Sequence, residues 1–596
     1  METASPSSDV WEVYPRLSAE QFSQCQQAGI EPLQAQLLYN RGVITPRAMR
    51  AFLDARYDQT PDPHLLIAMD RALERIQRAL AEREHITVYG DYDADGVTSA
   101  ALLTRALRAL AHPDAAPDSY IPHRLREGVG LNLAAINTLH ARETTLIITT
   151  DCASSDVAQV AYANSLGIDV IITDHHHPPE QLPPAYAVIN PWRADCAYPE
   201  RYLCGAGIAF KLAQALYRAH GRSIEEEQDL LDLVAIGTIA DLAPLLGENH
   251  TLARLGLEKM SQTRKPGLRA LMQRANVPIG RIRERDIAYA IAPRINAAGR
   301  MKDASVAFEL LTTDDPATAA RCVEELESLN LSRQRQTEEL MNAVRGEARQ
   351  RPADAVILVS GENWPEGIIG LAAGRLVEEF GRPVLVLSRG AEFSRGSARS
   401  PRGFDLIAAL QARDDLFVRF GGHTQAAGFT IANERVEDLR SHLLGWLVQN
   451  GHAAAGANAV MPDPTGIVTE EETPGALLTT PPRMVDLVFT KLHLLNAETF
   501  KKIQQLFPFG AGNPDPTFKI AGLRIINSWL GGSDGRHLNL LFGANGFQQR
   551  GTLLGGGTRR ASLPIGQPVN IIFRLESSNG SLEEFWWKIL DVETIQ

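Results

Sequence analysis

Cysteine is scarce in this sequence, which has five cysteines among 596 residues and no Cys-x-x-Cys pair. Disulfide scaffolds and structural zinc sites need paired cysteines, so this scarcity argues against both and favours a reducing cytoplasm. No apolar run approaches the roughly 20 residues that cross a bilayer. The amino terminus also lacks the basic and apolar regions of an export signal. We therefore expect a cytoplasmic protein that does not enter membranes.

An excess of basic charge is also missing, because the net charge is -12 and the pI is about 5.7. This balance argues against a general nucleic-acid coat protein. It does not exclude a nucleic-acid enzyme, since the local potential at a site matters more than the net charge. The length of 596 residues exceeds what one core supports and indicates three or four domains.

The most informative stretch is 88–100, where Asp91, Asp93 and Asp95 lie between an apolar strand at 86–89 and a helix that begins near Ser99. On an extended backbone these alternate side chains point the same way, and three clustered carboxylates repel unless a cation lies among them. A solvated turn is the alternative interpretation. A calcium loop of the helix-loop-helix type fails, because no glutamate follows at the required place.

Polar side chains follow other apolar stretches at comparable positions. They come after predicted strands at 145–149 and 170–173 and after a helical stretch at 230–240, and they are Asp151; Asp174, His175 and His176; and Asp241. Strands and helices alternate from 86 to 246, which predicts a parallel sheet with helices on both faces. The predicted strands lie at 86–89, 118–121, 145–149, 170–173 and 187–189. The carboxyl ends of parallel strands share one edge, so these groups are expected to converge there. Taken singly, Asp151 and Asp174 are more often helix caps than ligands. Carboxylates with imidazole at one edge favour a site for two divalent cations, Mg²⁺ or Mn²⁺.

Four motifs carry a resemblance to a known family: GDYDADGVTSA at 90–100, TTDC at 149–152, TDHH at 173–176 and GTIADLAPL at 237–245. Together they resemble the DHH phosphoesterase superfamily, and more narrowly the RecJ family of single-strand-specific 5′→3′ DNA exonucleases. The run APRINAAGRM at 292–301 is similar to the same family, and GGHTQAAG at 421–428 resembles its DHHA1 signature. The family commonly has Trp-His where this chain has Trp364-Pro365, so no role is transferred to Pro365.

The resemblance implies an α/β fold, in which a parallel-sheet DHH domain is joined by a long helix to a smaller α/β DHHA1 domain and a C-terminal β-barrel, the OB-fold, follows. We predict these boundaries: a helical segment at 1–80, the DHH domain at 81–312, the connector helix at 313–351, DHHA1 at 352–455, a linker at 456–482 and the OB-fold at 483–596. The OB-fold commonly binds single strands. Trp586 and Trp587 are candidate stacking residues, but alternation along a strand places at least one of them in the core.

The resemblance also implies roles at the metal site. Asp93 and Asp95 would bind one cation each, and Asp151 would bridge the two. Asp91 would complete the first cation's ligands, and His175 and Asp241 those of the second. His176 would face the scissile phosphate, and Asp174 would orient the loop or a histidine. Cys152 is predicted to be core, and His177 a supporting or surface residue.

Phosphate groups of a substrate need cationic partners. Arg294, with Asn296 close by, is the first choice near the active site, and the alternative is that Arg294 pairs structurally with a metal-site carboxylate. Ser397 and Arg399 make a hydroxyl and guanidinium pair suited to a terminal phosphate, which the resemblance places at the 5′ end beside His423. Arg124 either follows the DNA backbone or is a surface charge.

The leading prediction is a metal-dependent exonuclease that degrades single-stranded DNA 5′→3′ to mononucleotides, in recombination and repair. The first alternative is a DHH phosphodiesterase for short oligoribonucleotides or cyclic dinucleotides, which would not need the C-terminal barrel. The second is a non-catalytic replication scaffold, but such proteins lose ligand positions that are all present here. A monomer is expected, with a single-strand-binding protein and a helicase as possible recruiting partners.

Overall fold

The computed structural model describes residues 11–350, 354–449, 483–532, 534–544, 546–577 and 584–595. Along these residues the chain forms an amino-terminal segment, two lobes joined by a long helix, and a barrel. The linker predicted at 456–482 lies outside the described residues. Within the described ranges, no helix combines the length and the apolar character that a membrane span requires.

The amino-terminal segment is helical, as predicted. Two of its helices start with a side chain that accepts a backbone N–H, Ser18 from Gln21 and Thr45 from Ala48, which satisfies donors that a helix start leaves free. Its elements are β1 (Trp11–Val13), α1 (Ala19–Gln27), α2 (Pro32–Tyr39), α3 (Pro46–Asp54) and α4 (Met69–Glu82).

Most of this segment packs against the C-terminal domain, a contact that the sequence did not indicate. Leu37 and Phe52 share one hydrophobic core with Phe500 of the C-terminal domain, and β1 pairs in parallel with Arg483–Val485. α4 packs against the first lobe through residues such as Ile76. The predicted helical segment is therefore divided: α1 to α3 belong mainly to the C-terminal core, although Phe52 of α3 also contacts the first lobe, and α4 leads into the first strand.

The first lobe is built on the predicted five-stranded parallel sheet, with the order β3-β2-β4-β5-β6. Its central strands are buried on both faces, and β4 has no exposed residue, as expected for a sheet covered by helices. The elements are β2 (Ile86–Gly90), α5 (Ala94–Arg108), β3 (Asp118–Tyr120), α6 (Leu133–Ala141), β4 (Leu146–Thr150), α7 (Val157–Ser165), β5 (Asp169–Thr173), β6 (Ala187–Ile189), α8 (Gly205–Ala219), α9 (Ile224–Gln228), α10 (Leu231–Ala240), α11 (Gly247–Met260), α12 (Pro266–Arg274), α13 (Glu284–Asp286), α14 (Ala292–Met301) and α15 (Ser305–Thr312).

One long helix, α16 (Pro316–Gln350), connects the lobes. Its first half is packed into the core of the first lobe through Leu326, and its second half packs against the second lobe through Leu340 and Val344. Because both halves are buried on one side, the helix fixes how the two lobes face each other.

The second lobe contains a five-stranded mixed sheet with the order β10-β11-β9-β8-β7, in which only β7 and β8 are parallel. The helix after β7 begins directly after Pro365, whose missing N–H costs nothing at a helix start. The elements are β7 (Ile357–Glu362), α17 (Glu366–Phe380), β8 (Val384–Arg389), β9 (Phe393–Arg399), α18 (Leu406–Gln411), β10 (Phe417–His423), β11 (Ala426–Ala432) and α19 (Val436–Gln449).

The C-terminal domain is a closed barrel, because β14 pairs with both β15 and β17 at the two ends of the order β14-β15-β16-β18-β17. The long strand β14 pairs irregularly with β17 between Ile520 and Leu523. Trp587 is fully buried and stacks on Phe573 at 3.9 Å between ring centroids, so it is core, as alternation required of one tryptophan. The elements are β12 (Arg483–Val485), β13 (Leu487–Phe489), α20 (Ala497–Gln504), β14 (Phe518–Gly531), β15 (His537–Ala544), β16 (Phe547–Leu553), β17 (Pro568–Ser577) and β18 (Phe585–Thr594).

His250 lies where three parts of the chain meet. Its ring, on α11, stacks on Phe52 of the amino-terminal segment at 3.6 Å. Its Nε2 lies 3.1 Å from the Phe507 carbonyl and 3.3 Å from the Leu506 carbonyl, so the neutral ring donates from Nε2. Burial, reinforced by the charge of Arg254, lowers the pKa of His250 to about 3.

This lowered pKa makes stability depend on pH in a defined direction. The unfolded chain gains a proton on this histidine below about pH 6.5, whereas the folded chain does not until about pH 3. The stabilisation is therefore complete above pH 6.5 and is lost as the pH falls, by about 1.4 kcal/mol per pH unit. Urea denaturation at pH 7 and pH 5 should show a greater loss of stability toward pH 5 in the wild-type chain than in His250→Gln, because other titrating groups contribute equally to both. An equal slope in the variant would contradict the assignment.

Candidate metal centre and nucleic-acid groove

The aspartate-rich loop that joins β2 to α5 is shorter than the sequence suggested. Asp93 is the N-cap of α5, and its Oδ1 accepts the N–H groups of Asp95 and Gly96 at 3.0 Å each. The helix begins at Ala94 rather than near Ser99, so Asp95 lies in its first turn. The extended backbone that we predicted for the three aspartates is therefore wrong, because the Asp93 cap turns the chain into the helix at that point.

Two buried carboxylates lie against helix backbone, and the approach is so close that only glycine fits at the contact positions. Asp95 accepts the N–H groups of Gly205, at 2.7 Å, and Ala206, at 2.9 Å, at the start of α8. A Cβ on Gly205 would lie 2.5 Å from the Cβ of Asp151, and one on Gly237 would lie 2.4 Å from Asp95 Oδ1. The first turn of α8 thus holds Asp95 with its positive end and leaves space for Asp151.

The histidines after β5 are held by Asp174. Its Oδ1 accepts the backbone N–H of His175 at 2.8 Å and lies 2.8 Å from Nδ1 of His176, and its Oδ2 accepts the N–H of Ser154. Burial disfavours the imidazolium, but the hydrogen bond that His176 donates to Asp174 outweighs it and raises the pKa of His176 to about 9. Asp174 therefore has the geometry of an orienting group, while Nε2 of His176 stays outside this hydrogen bond.

The predicted ligands converge at the carboxyl edge of the sheet in three overlapping groups. In each group the ligand atoms lie within 4.8 Å of one another, and the groups are Asp91, Asp93 and Asp151; Asp95, His175 and Asp241; and Asp151, His175 and His176. Asp151 belongs to two of them. His175 Nε2 lies 3.0 Å from Asp151 Oδ1 without hydrogen-bond alignment, and His175 Nδ1 lies 3.8 Å from Asp241 Oδ2.

The carboxylates of this cluster repel one another, and the positive charge among the described residues does not balance them. Burial, followed by the charge of Asp93, raises the pKa of Asp91 to about 8, and burial with the charge of Asp95 raises that of Asp151 well above its ordinary value. Burial and Asp95 likewise raise the pKa of Asp241 to about 7. The buried Oδ1 atoms of Asp91 and Asp151 accept no hydrogen bond from any described residue. Such oxygens fit divalent cations, which would remove the repulsion.

A groove of about 700 Å³ joins this cluster to the second lobe. Asp91 and His176 line one wall, and Ser397 and Arg399 of β9 line the other. Arg399 Nη1 donates to Ser397 Oγ at 3.2 Å, so the predicted hydroxyl and guanidinium pair is formed. His423, at the end of β10, places its ring 6.3 Å from that of His176 across the groove. Cys152 is buried at the groove floor, and His177 is exposed at its edge.

A cationic residue of this site escaped the sequence interpretation. Arg300 is partly buried, and this burial together with the nearby charge of Arg124 lowers its pKa to about 10. Burial and Arg124 also lower the pKa of Arg399, and Arg124 lies over the Tyr92 ring at 4.9 Å. Among the described residues none of these three arginines forms an ion pair, so their charge is available to an anionic ligand.

Arg294, the arginine that we predicted here, is engaged elsewhere. Its Nε donates to Glu327 of α16 at 2.6 Å, and its Nη1 donates to the Ala290 carbonyl. Asn296 accepts the N–H of Ala94 at 2.9 Å through its Oδ1 and so holds the aspartate loop. Arg300 is four residues after Asn296 and shares its helix face, whereas Arg294 does not. This four-residue spacing is the feature of the sequence that could have indicated Arg300.

The residue that follows Pro365 takes part in a contact between the lobes. Glu366, the next residue, accepts a hydrogen bond from Arg395 Nη1 at 2.6 Å, and the same nitrogen lies 3.3 Å from the Leu125 carbonyl of the first lobe. Glu366 and Arg395 both line the groove. The start of α17 is thus tied to the groove by an ion pair, and Pro365 provides no hydrogen-bond donor there.

Comparison with known proteins follows the same three-part division. The DHH family N-terminal domain matches residues 85–238, the DHHA1 domain matches 354–449 and the RecJ OB domain matches 486–581. The single-stranded-DNA-specific exonuclease RecJ of Dickeya dadantii is 32% identical over 515 residues, which are 83% of this chain and 83% of that protein. This chain belongs to the RecJ family. The Bacillus subtilis RecJ exonuclease is 38% identical over 85% of this chain, and the match spans 61% of that longer protein.

Solved RecJ structures agree with the fold over nearly the whole chain. The Thermus thermophilus RecJ complex with Mn²⁺ superposes with a TM-score of 0.78 at 27% identity, over 98% of this chain and 80% of that one. The complex of the same protein with Mg²⁺ gives 0.73 at 26% identity. The family and the α/β lobes with a C-terminal barrel are therefore confirmed, while the individual site residues and the domain boundaries stay predictions.

Proposed function

We propose that this chain is a metal-dependent exonuclease that degrades single-stranded DNA 5′→3′ to mononucleotides. The observation that carries the proposal is the groove in which a buried carboxylate and histidine cluster faces the Ser397–Arg399 pair. RecJ relatives are named for exonuclease activity specific to single-stranded DNA. We place the activity in DNA recombination and repair, with the chain acting as a cytoplasmic monomer and recruited by a single-strand-binding protein or a helicase.

The ligand set suits two divalent cations, Mn²⁺ or Mg²⁺. Asp91 and Asp93 would hold one of them, Asp95, His175 and Asp241 the other, and Asp151 both. Bound there, such cations supply hydroxide near neutral pH and stabilise negative charge on the reacting phosphate. Asp174 orients His176 toward the groove, where the imidazole can donate a proton to a phosphate oxygen. Asn296 and Asp93 keep the loop rigid through their hydrogen bonds at the start of α5.

The direction of degradation would follow from the position of the Ser397–Arg399 pair. A terminal phosphate bound there would place a phosphodiester of the same strand near the cation ligands on the opposite wall. Arg124 adds positive charge in the same groove, and Arg300 lies close enough to Arg124 for the two charges to interact. Selectivity for single strands would be steric, because residues of both lobes line the groove and would admit one strand only.

The test is digestion of a 40-nucleotide DNA labelled at either end, with Mn²⁺, Mg²⁺ or EDTA, beside a duplex and an RNA of the same sequence. We expect the 5′ label to be released first as a mononucleotide, only with a metal and only from the single strand. Release of the 3′ label first, or cleavage restricted to RNAs of two to five nucleotides, would overturn the proposal. Binding without any cleavage would favour a non-catalytic scaffold.

Arg399→Met should abolish the preference for a 5′-phosphorylated end. Losing a charge-assisted hydrogen bond to phosphate costs about 1.5–3 kcal/mol, which is roughly 10- to 150-fold in KM. A strand with a 5′-hydroxyl should show little change, because it never makes this contact. Exposed Arg402, three residues further on, gives the control variant Arg402→Met. Equal losses on both kinds of strand would show that Arg399 is structural.

A further inference from the structure

A row of three aromatic rings extends from the groove along the edge of the first lobe. The ring of His177 lies 4.2 Å from that of Trp192, and Trp192 meets Tyr202 edge-on at 5.2 Å. His177 lines the groove next to His176. The row therefore begins at His177, directly after the predicted catalytic residue His176, and extends away from it.

The fold does not need these rings for its core. Trp192 and Tyr202 are absent from every hydrophobic cluster among the described residues. The Tyr202 side chain is 49% exposed, and His177 is exposed as well. Large rings outside a core that remain open to water are typical of binding surfaces.

Buried polar side chains nevertheless hold the row in place. Asn190 is fully buried, and its Nδ2 donates to the His176 carbonyl at 2.8 Å while its Oδ1 accepts the Trp192 N–H at 2.8 Å. Asn249, also buried, donates to the Tyr202 carbonyl at 2.6 Å. One amide thus fixes Trp192 relative to His176, which is the preorganisation expected of a binding surface.

We propose that His177, Trp192 and Tyr202 form a stacking surface for bases of the single-stranded DNA, directly beside the predicted metal ligands. The surface is continuous with the groove through His177, so a strand whose phosphate reaches His176 passes it. Nucleobases are planar and stack on such rings whatever their sequence. Arg193, next to Trp192, forms an ion pair with Asp195 at 2.7 Å. The Asp195 carboxylate is therefore neutralised and does not repel the DNA backbone. The proposal rests on the exonuclease function above and adds where the bases lie.

The experiment uses 5′-phosphorylated 20-nucleotide strands that carry one abasic residue at each of positions 1 to 6, with kcat and KM measured separately. For the wild-type chain we expect KM to rise roughly 5- to 100-fold when the abasic residue occupies a stacked position. Trp192→Leu keeps an apolar side chain, and it should raise KM on the intact strand by a similar factor and remove the dependence on the abasic position. Trp192→Phe should restore most of the wild-type behaviour.

Two results would overturn the stacking surface. One is a uniform KM across abasic positions in the wild-type chain, and the other is an abasic dependence that persists unchanged in Trp192→Leu. A binding arm, with fluorescence anisotropy of the same strands in EDTA, separates this proposal from the exonuclease function. Binding that depends on the abasic position without cleavage would refute the exonuclease function alone, whereas cleavage with no such dependence would refute the stacking surface alone.

Discussion

Asp151→Asn is expected to lower kcat/KM on single-stranded DNA by about 10³-fold. Asp151 is shared by two of the ligand groups, and losing a shared ligand removes several kcal/mol of transition-state stabilisation, with each 1.4 kcal/mol worth about tenfold. Asparagine suits the position, because the residue has a φ of 64° and asparagine tolerates this left-handed backbone. The substitution therefore changes the charge and keeps the shape.

The same substitution should act oppositely on stability with and without metal. The buried Asp151 carboxylate repels Asp95 and its other neighbours, so in EDTA the asparagine variant should unfold at a higher temperature than the wild-type chain. With Mn²⁺ the order should reverse, because the wild-type chain gains more from binding. Thermal unfolding and calorimetric titration with Mn²⁺ check both statements.

Two matched variants set the scale for this effect. Asp174→Asn weakens the orientation of His176 and should cost 10- to 100-fold, the usual effect of a supporting group. Asp118→Asn lies at the start of β3, away from the carboxyl edge of the sheet, and should leave activity unchanged. Full activity in Asp151→Asn, or lost activity with Mn²⁺ binding intact, would contradict the shared-ligand assignment.

Arg41→Met should detach the amino-terminal segment from the C-terminal domain. The Arg41 side chain is 2% exposed and pairs with Asp486 at 2.9 Å. It also donates to Asn513 and to the carbonyls of Leu37 and Pro514. Removing one partner of a buried pair leaves the other charged and unpaired, which costs about 3–5 kcal/mol.

Hydrogen exchange gives the most direct measurement, because a chain of several domains does not unfold in one step. Faster exchange should be confined to α1–α3 and to residues 483–520. Arg47→Met is the control, since Arg47 is exposed on α3 of the same segment, where a substitution changes stability by about 0.5 kcal/mol or less. Unchanged exchange in Arg41→Met would mean that apolar contacts alone hold the segment in place.

The sequence by itself determined the local structure and the location of the site. β-branched runs and helix-start residues predicted all five strands of the first lobe and the helical character of the amino-terminal segment. These signals are readable because strand and helix periods and helix caps depend on neighbouring residues only. The convergence of the aspartates and histidines also followed, because parallel strands always end at one edge.

Tertiary structure decided what depends on residues far apart in the chain. It engaged Arg294 with Glu327, 33 residues away, and brought Arg300 close to Arg124 and Arg399. It joined the amino-terminal helices to a core more than 400 residues later through the Arg41–Asp486 pair, and it brought Trp192 to His177 from the neighbouring strand. No local pattern encodes such contacts, since they arise only when separate elements pack and exclude water together.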